Sequence, residues 1–241
     1  MPEAASHGAP AGDPAPETAE TTEAVAPQES ESGPQMDPWL RNAARRATGF
    51  MPDAEGVALF EAALDGADVG PLLEIGSYCG RSTIYLGAAA REKDRIVYSI
   101  DHHRGSEEHQ PGEQYHDQGL VDPSTGRIDT LPTFRRTIEQ AGLEEVVVGI
   151  VGRSEVVARH WTTPLGLVFI DGSHSHEAAE RDYESWVPHI TVEGILAIHD
   201  VFESPEEGGR PPYEIYRRAL DTKMFKEVAT QGSLRVLERR H

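Results

Sequence analysis

The chain has 241 residues, with 41 Asp and Glu against 22 Lys and Arg and a formal net charge of -19. That length suits one domain able to bury a real core. The charge argues against nucleic-acid partners, which need basic stripes that displace counterions; a neutral or cationic small molecule fits better, although acidity also serves solubility alone. No segment approaches the roughly 18 apolar residues of a bilayer span, no apolar run marks a signal peptide, and the lone Cys79 can form no internal disulfide, so a cytoplasmic protein with no membrane partner is expected.

Residues 1–37 hold no Lys or Arg and little besides Ala, Pro, Glu, Gly, Ser and Thr. Such a composition cannot bury enough apolar surface to offset chain entropy and reads as a disordered acidic tail, leaving residues 38–241 as the folded domain. Helices are expected over Pro38 to Phe50 and Ala54 to Leu64, where Val57, Leu59, Phe60, Ala63 and Leu64 recur at helical spacing. These two helices could cover a sheet or supply a homo-oligomer interface.

Strands and helices then alternate. Short apolar runs predict strands at Pro71 to Ile75, Arg95 to Ile100, Val146 to Val151, Leu167 to Ile170 and Gly194 to Ile198. Helices are predicted at Ser82 to Arg91, Leu131 to Gln140, Glu155 to His160, His176 to Val187 and Tyr213 to Leu220. The alternation implies right-handed crossovers and an α/β fold, a Rossmann-like, doubly wound, mostly parallel sheet with helices on both faces. Phe225 to Ala229 and Ser233 to Glu238 flank Gln231-Gly232 and read as a C-terminal antiparallel hairpin. Two insertions leave the carboxyl edge of the sheet, His102 to Asp129 and Glu203 to Pro212; the longer reads as a lid or binding loop.

The first strand runs through Leu73-Glu74-Ile75-Gly76-Ser77-Tyr78-Cys79-Gly80-Arg81-Ser82 into a helix. A strand ending in a carboxylate and a turn of small residues lets backbone N–H groups approach a nucleotide cofactor. Asp101, at the end of the second strand, stands about where a carboxylate holds a ribose diol. A nicotinamide site wants G-x-G-x-x-G for its pyrophosphate, whereas Gly76 is followed by Ser-Tyr-Cys-Gly, and Glu74 would repel a phosphate while suiting a cationic amine or sulfonium.

These segments, with FIDGSH closing the fourth strand and the terminal hairpin, resemble a class I S-adenosylmethionine-dependent methyltransferase over roughly Trp39 to Glu238. Within that class the chain is similar to the metal-dependent sugar O-methyltransferases that act on macrolide sugars and mycobacterial glycans, and to cephalosporin-hydroxylase-like proteins. SIDHHRGSEEHQ and LVDPSTGRIDTLPTFRRTI are most similar to the mycofactocin oligosaccharide methyltransferases. The resemblance implies that Glu74, Gly76, Ser77 and Gly80 wall the methionine part of the cofactor and that Asp101 holds the ribose. It also implies that Gly152, Arg153 and Ser154 border the adenine, and that Asp171 lies beside the methionine amino group or a metal. Ser82 is expected to cap the following helix.

Asp171 and Asp200 end neighbouring strands, so their carboxylates can converge and call for a proton or a divalent cation, Mg2+ or Mn2+. The resembling enzymes place a third acidic ligand where this chain has His199. Imidazole suits manganese, iron, zinc or nickel better than magnesium, unless His199 points away and water completes the shell. His174, three residues after Asp171, is the expected general base for a sugar hydroxyl, with His176 its rival and Asp171 beside it. Of the loop histidines His102, His103, His109 and His116, most are expected to be solvated. Arg210-Pro211-Pro212-Tyr213 resembles the Pro-Pro-Tyr of amino-methylating enzymes, but it follows the fifth strand, not the fourth, and reads as a rigid start to a helix. A catechol or phenol acceptor, a non-catalytic S-adenosylmethionine-binding protein and a nicotinamide oxidoreductase stay open as alternatives.

Overall fold

The computed structural model describes residues 35–106, 109–110, 112–113, 116–172, 175–204 and 209–241. His174 and nearly all of the expected acidic tail lie outside them. Among the described residues, β1 (Leu72–Ile75), β2 (Val97–Asp101), β5 (Val147–Val151), β6 (Leu165–Ile170) and β7 (Ile190–Ile198) join β8 (Phe225–Gln231) and β9 (Leu234–Arg239) in one sheet, ordered β5-β2-β1-β6-β7-β9-β8. The first five are parallel, and β9 runs antiparallel to both β7 and β8. This is the doubly wound sheet expected from the alternation, with its switch point between β1 and β6.

Strand residues alternate between two apolar layers. Leu72, Val97, Leu167, Phe169, Ile195 and Ala197 face α1 (Pro38–Arg46), α2 (Asp53–Val69), α3 (Arg81–Glu92) and α4 (Leu131–Gln140). Leu73, Ile75, Ile100, Val168, Leu196 and Ile198 face α5 (Ser154–Ala158), α6 (His176–Trp186) and α7 (Arg210–Asp221). Of the two N-terminal helices, α2 lies on β6 and β7 and covers the sheet, while α1 packs on α3. No helix among the described residues is long and apolar enough to cross a membrane.

Several boundaries differ from expectation: α2 runs on to Val69 and α7 starts at Arg210, and three further elements change more. The first helix stops at Arg46, not Phe50, because the Arg81 guanidinium donates to the carbonyls of Ala44, Arg45, Ala47 and Met51 at 2.9–3.2 Å. Those bonds replace further helical turns and carry residues 48–51 over the carboxyl edge of the sheet. Strand β7 starts at Ile190, four residues early, through the partly exposed Thr191-Val192-Glu193, and its register with β6 shifts between Leu165 and Leu167. The long insertion has structure of its own: β3 (Val121–Asp122) pairs with β4 (Arg127–Ile128) around a turn in which Asp122 accepts from the Ser124 N–H at 2.9 Å. Leu120 and Ile128 bury beneath it. As expected, α7 opens on prolines and the chain ends in a hairpin.

Candidate active site

The carboxyl ends of β1, β2, β5, β6 and β7 open into a cleft with two compartments that share Gly76, Tyr78, Ser106, His109, Asp171 and Gly172. The first, about 380 Å³, lies over β1, β2 and β5 and is lined by Asp101, Gly152, Arg153, Ser154 and Asp182 among others. The second, about 530 Å³, lies over β6 and β7 and is lined by Phe50, Met51, Ser77, Asp171, His199, Asp200 and Phe202 among others. The long insertion contributes Ser106, His109 and Glu113 to its lining.

Gly76 makes the β1 turn possible. Its φ is +92°, and a Cβ there would collide with the carbonyl of Asp171, so the turn after β1 sits directly against the turn after β6. Tyr78 follows with φ +46°, a left-handed backbone that swings its ring between the compartments. The ring lies 4.9 Å from His109 and 5.6 Å from Phe50, centroid to centroid. The Tyr78 N–H donates to Asp101 Oδ2 at 2.8 Å and the His103 N–H to Oδ1 at 2.7 Å, which fixes that carboxylate at the mouth of the first compartment.

Two residues expected in the cofactor wall stand elsewhere. Glu74 is fully buried on the α3 side of the sheet, and Gly80 is the left-handed residue ahead of α3; neither lines a compartment. Glu74 accepts from Ser82 Oγ at 2.5 Å, Thr83 Oγ1 at 2.6 Å and Ser99 Oγ at 2.8 Å. Burial pushes its carboxyl up to about 7 despite those three hydroxyls, with Asp171 adding to the rise. Ser82 does not cap the helix, as its hydroxyl is committed to Glu74 and α3 starts one residue earlier. Ser154 lines the first compartment, and its hydroxyl donates to Asp182. Burial raises the Asp182 carboxyl to about 6 against that bond.

The second compartment ends in the cluster expected from the sequence. His199 Nδ1 lies 3.0 Å from Asp171 Oδ1 and 3.4 Å from Asp200 Oδ1, and one donor atom from each residue falls within 4.8 Å of the others. His199 does not point away. Two carboxylates and an imidazole suit a divalent cation, whose neighbouring ligands at bonds of about 2.1 Å stand about 3 Å apart. The other ring nitrogen, Nε2, meets Glu55 Oε2 at 2.6 Å. Burial alone would lower the His199 imidazole; Asp171, Asp200 and Glu55 outweigh it and raise it to about 12.

Glu55, Tyr78 and Asp182 were not picked out from the sequence. A signal existed for Glu55, which shares the buried stripe of α2 with Leu59 one turn on. None existed for Tyr78, because its position depends on a left-handed backbone. His176 is exposed and pairs with Glu214 at 2.8 Å, outside the cleft. Of the loop histidines, His103 is buried, with its ring on Thr130 Oγ1 at 2.7 Å.

Comparison with known proteins agrees with this architecture. A family profile described as a methyltransferase domain matches residues 73–201, from β1 to just past β7. Among solved structures, the O-methyltransferase NovP is 18% identical, with a TM-score of 0.63 over 84% of this chain and 88% of its own. The O-methyltransferase TomG from Streptomyces achromogenes, solved with S-adenosylmethionine, is 16% identical, with a TM-score of 0.58 over 86% and 92%. An O-methyltransferase from Bacillus cereus, solved with S-adenosylhomocysteine, is 14% identical, with a TM-score of 0.56 over 83% and 88%. The chain belongs to the methyltransferase-domain family and has the class I fold of S-adenosylmethionine-dependent methyltransferases.

Proposed function

We propose that the chain moves a methyl group from S-adenosylmethionine to a hydroxyl oxygen of a small glycoside or oligosaccharide, with a divalent cation on Asp171, His199 and Asp200. The observation that carries this reading is the two-part cleft whose halves meet at Gly76, Asp171 and Gly172. The half over β1, β2 and β5 suits the donor: Asp101 can accept from ribose hydroxyls, Gly152, Arg153 and Ser154 can border an adenine, and the glycine turn lets a chain of the donor's size lie close to the backbone. The half over β6 and β7 suits a polyhydroxyl acceptor. Glu113, Asp171 and Asp200 offer hydrogen-bond partners, and Phe50, Tyr78 and Phe202 offer ring faces for the C–H surface of a pyranose. The solved structures with S-adenosylmethionine and S-adenosylhomocysteine share the fold and support the choice of donor.

Methyl transfer is an in-line displacement. The carbon–sulfur bond breaks as the carbon–oxygen bond forms, and the acceptor hydroxyl gives up its proton. Bound to this cluster, a divalent cation would supply Lewis acidity toward the acceptor oxygen. Asp171 is common to both compartments, so it can face the positive donor on one side and the acceptor on the other. His174 follows Asp171 by three residues and is proposed to take the hydroxyl proton. The same aromatic lining beside two aspartates also suits a catechol, whose vicinal oxygens would chelate the cation.

The deciding experiment measures transfer from labelled S-adenosylmethionine to glucosides, oligosaccharides and catechols, with Mn2+ or Mg2+ and again with EDTA. Transfer to saccharides that EDTA abolishes supports the reading, transfer to catechols alone replaces the acceptor, and EDTA-resistant transfer removes the cation. His174→Ala should lose most of the rate with donor binding intact; an unchanged rate would reject His174 as the base.

A further inference from the structure

Glu55 is buried at the cation cluster, yet the reaction as proposed gives it no task. It lies in the first turn of α2, 6% exposed, and every bond it makes points to the cluster or to the hairpin turn over it. Ser233, in the turn between β8 and β9, donates its N–H to Oε1 at 3.0 Å and its hydroxyl to Oε2 at 3.1 Å. His199 Nε2 lies 2.6 Å from Oε2. An ionised carboxylate only accepts, so a nitrogen at that distance must carry the hydrogen.

The consequence falls on the far side of the ring. With Nε2–H fixed on Glu55, Nδ1 is turned toward Asp171 and Asp200, where a nitrogen between two anions carries either a proton or a metal ion. A carboxylate behind a ligating imidazole fixes the tautomer and ring orientation and makes the nitrogen a better donor. An imidazole in the ligand set also changes which ion is preferred: Mg2+ favours oxygen, while Mn2+ and the later divalent ions accept nitrogen.

We infer that Glu55 is a positioning residue that presents His199 Nδ1 to the cation site, and that the Asp171, His199 and Asp200 set thereby takes a nitrogen-accepting divalent ion such as Mn2+ in preference to Mg2+. The inference rests on the divalent-cation part of the proposed function. It needs neither donor nor acceptor to be tested, so its failure is separate from failure of methyl transfer.

The test titrates Mn2+ into the full-length protein at fixed neutral pH, following free Mn2+ by electron paramagnetic resonance and Mg2+ by competition. Spin-echo modulation of the bound ion reports a coordinated nitrogen. Wild type should bind Mn2+ more tightly than Mg2+ and show nitrogen coupling. Glu55→Gln should weaken Mn2+ by about 10–100-fold and Mg2+ by less, whereas a merely structural Glu55 would weaken both alike. Glu55→Asp, which keeps the charge at shorter reach, should recover part of the loss. The double variant E55Q/H199D should lose the nitrogen coupling and shift its preference toward Mg2+. Equal losses for the two ions, bound Mn2+ without nitrogen coupling, or no Mn2+ binding at millimolar concentration would overturn the inference. The wild-type spectrum stands as the test of nitrogen ligation if a variant does not fold.

Discussion

Glu74 on β1 and Glu55 beside the Asp171, His199 and Asp200 cluster are both sealed from solvent, at 0% and 6% exposure, and they are held in opposite ways. Glu74 meets three hydroxyls, from Ser82, Thr83 and Ser99, and no positive charge. Glu55 meets an imidazole, a hydroxyl and a backbone N–H. Burial pushes both carboxyls up. At Glu55 the His199 ring and Ser233 overcome it and leave the group below its ordinary range, whereas at Glu74 the neutral hydroxyls do not. Burial alone therefore does not decide whether an inner carboxylate is charged; the charge of its partner does. Glu74 therefore keeps its proton to a higher pH than an ordinary carboxyl, and Glu55 loses its proton at a lower one.

The largest effect should come from breaking the charged corner. His199→Ala would leave Glu55 buried without its imidazole, at a cost of about 3–5 kcal/mol. Urea unfolding of the metal-free protein at neutral pH measures it. A loss below about 1 kcal/mol, the scale of an exposed ion pair, would mean that water reaches Glu55 and that the two glutamates do not differ as described.

The neutral corner should reveal itself through pH. The unfolded chain ionises Glu74 near 4.5 and the folded chain near 7, so between those values the folded state holds the extra proton and stability falls as pH rises. The contribution amounts to about 3 kcal/mol across that window. Glu74→Gln removes the titration, so its stability should fall less steeply than wild type between pH 4.5 and 7. Parallel curves would show that Glu74 is ionised in the folded protein at acid pH.

Much of the fold could be read from the chain because the central strands are nearly continuous apolar runs, as at Leu167 to Ile170, and because Gly232 and Pro211-Pro212 mark a turn and a helix start. What escaped depends on contacts between distant segments. Helix α1 ends where Arg81 takes its carbonyls, a bond invisible to local propensity. Strand β7 starts at Ile190, which pairs with Leu165, and the partly exposed Thr191-Val192-Glu193 then bulges out before the register resumes at Ile195. The site shows the same division. Asp171, His199 and Asp200 follow from two strand ends, but Glu55 reaches them from a helix ahead of β1, held by a turn near the other end of the chain. Glu74 was legible as a carboxylate at a strand end, yet the period of two turns it away from the cleft, into the layer with Ser99.

The smallest effect concerns Ser82, which the sequence suggests as a helix cap and the structure assigns to Glu74. Either role is worth about 1 kcal/mol, so the size of the loss in Ser82→Ala does not separate them. Its pH dependence does. A lost cap would lower stability by the same amount at every pH. A hydroxyl donating to Glu74 favours the ionised form, so its removal should move the folded-state titration above about 7 and leave the protein weakest on the alkaline side. Stability of Ser82→Ala relative to wild type, compared at pH 5 and pH 8, should therefore show the larger deficit at pH 8; an equal deficit would return Ser82 to the helix.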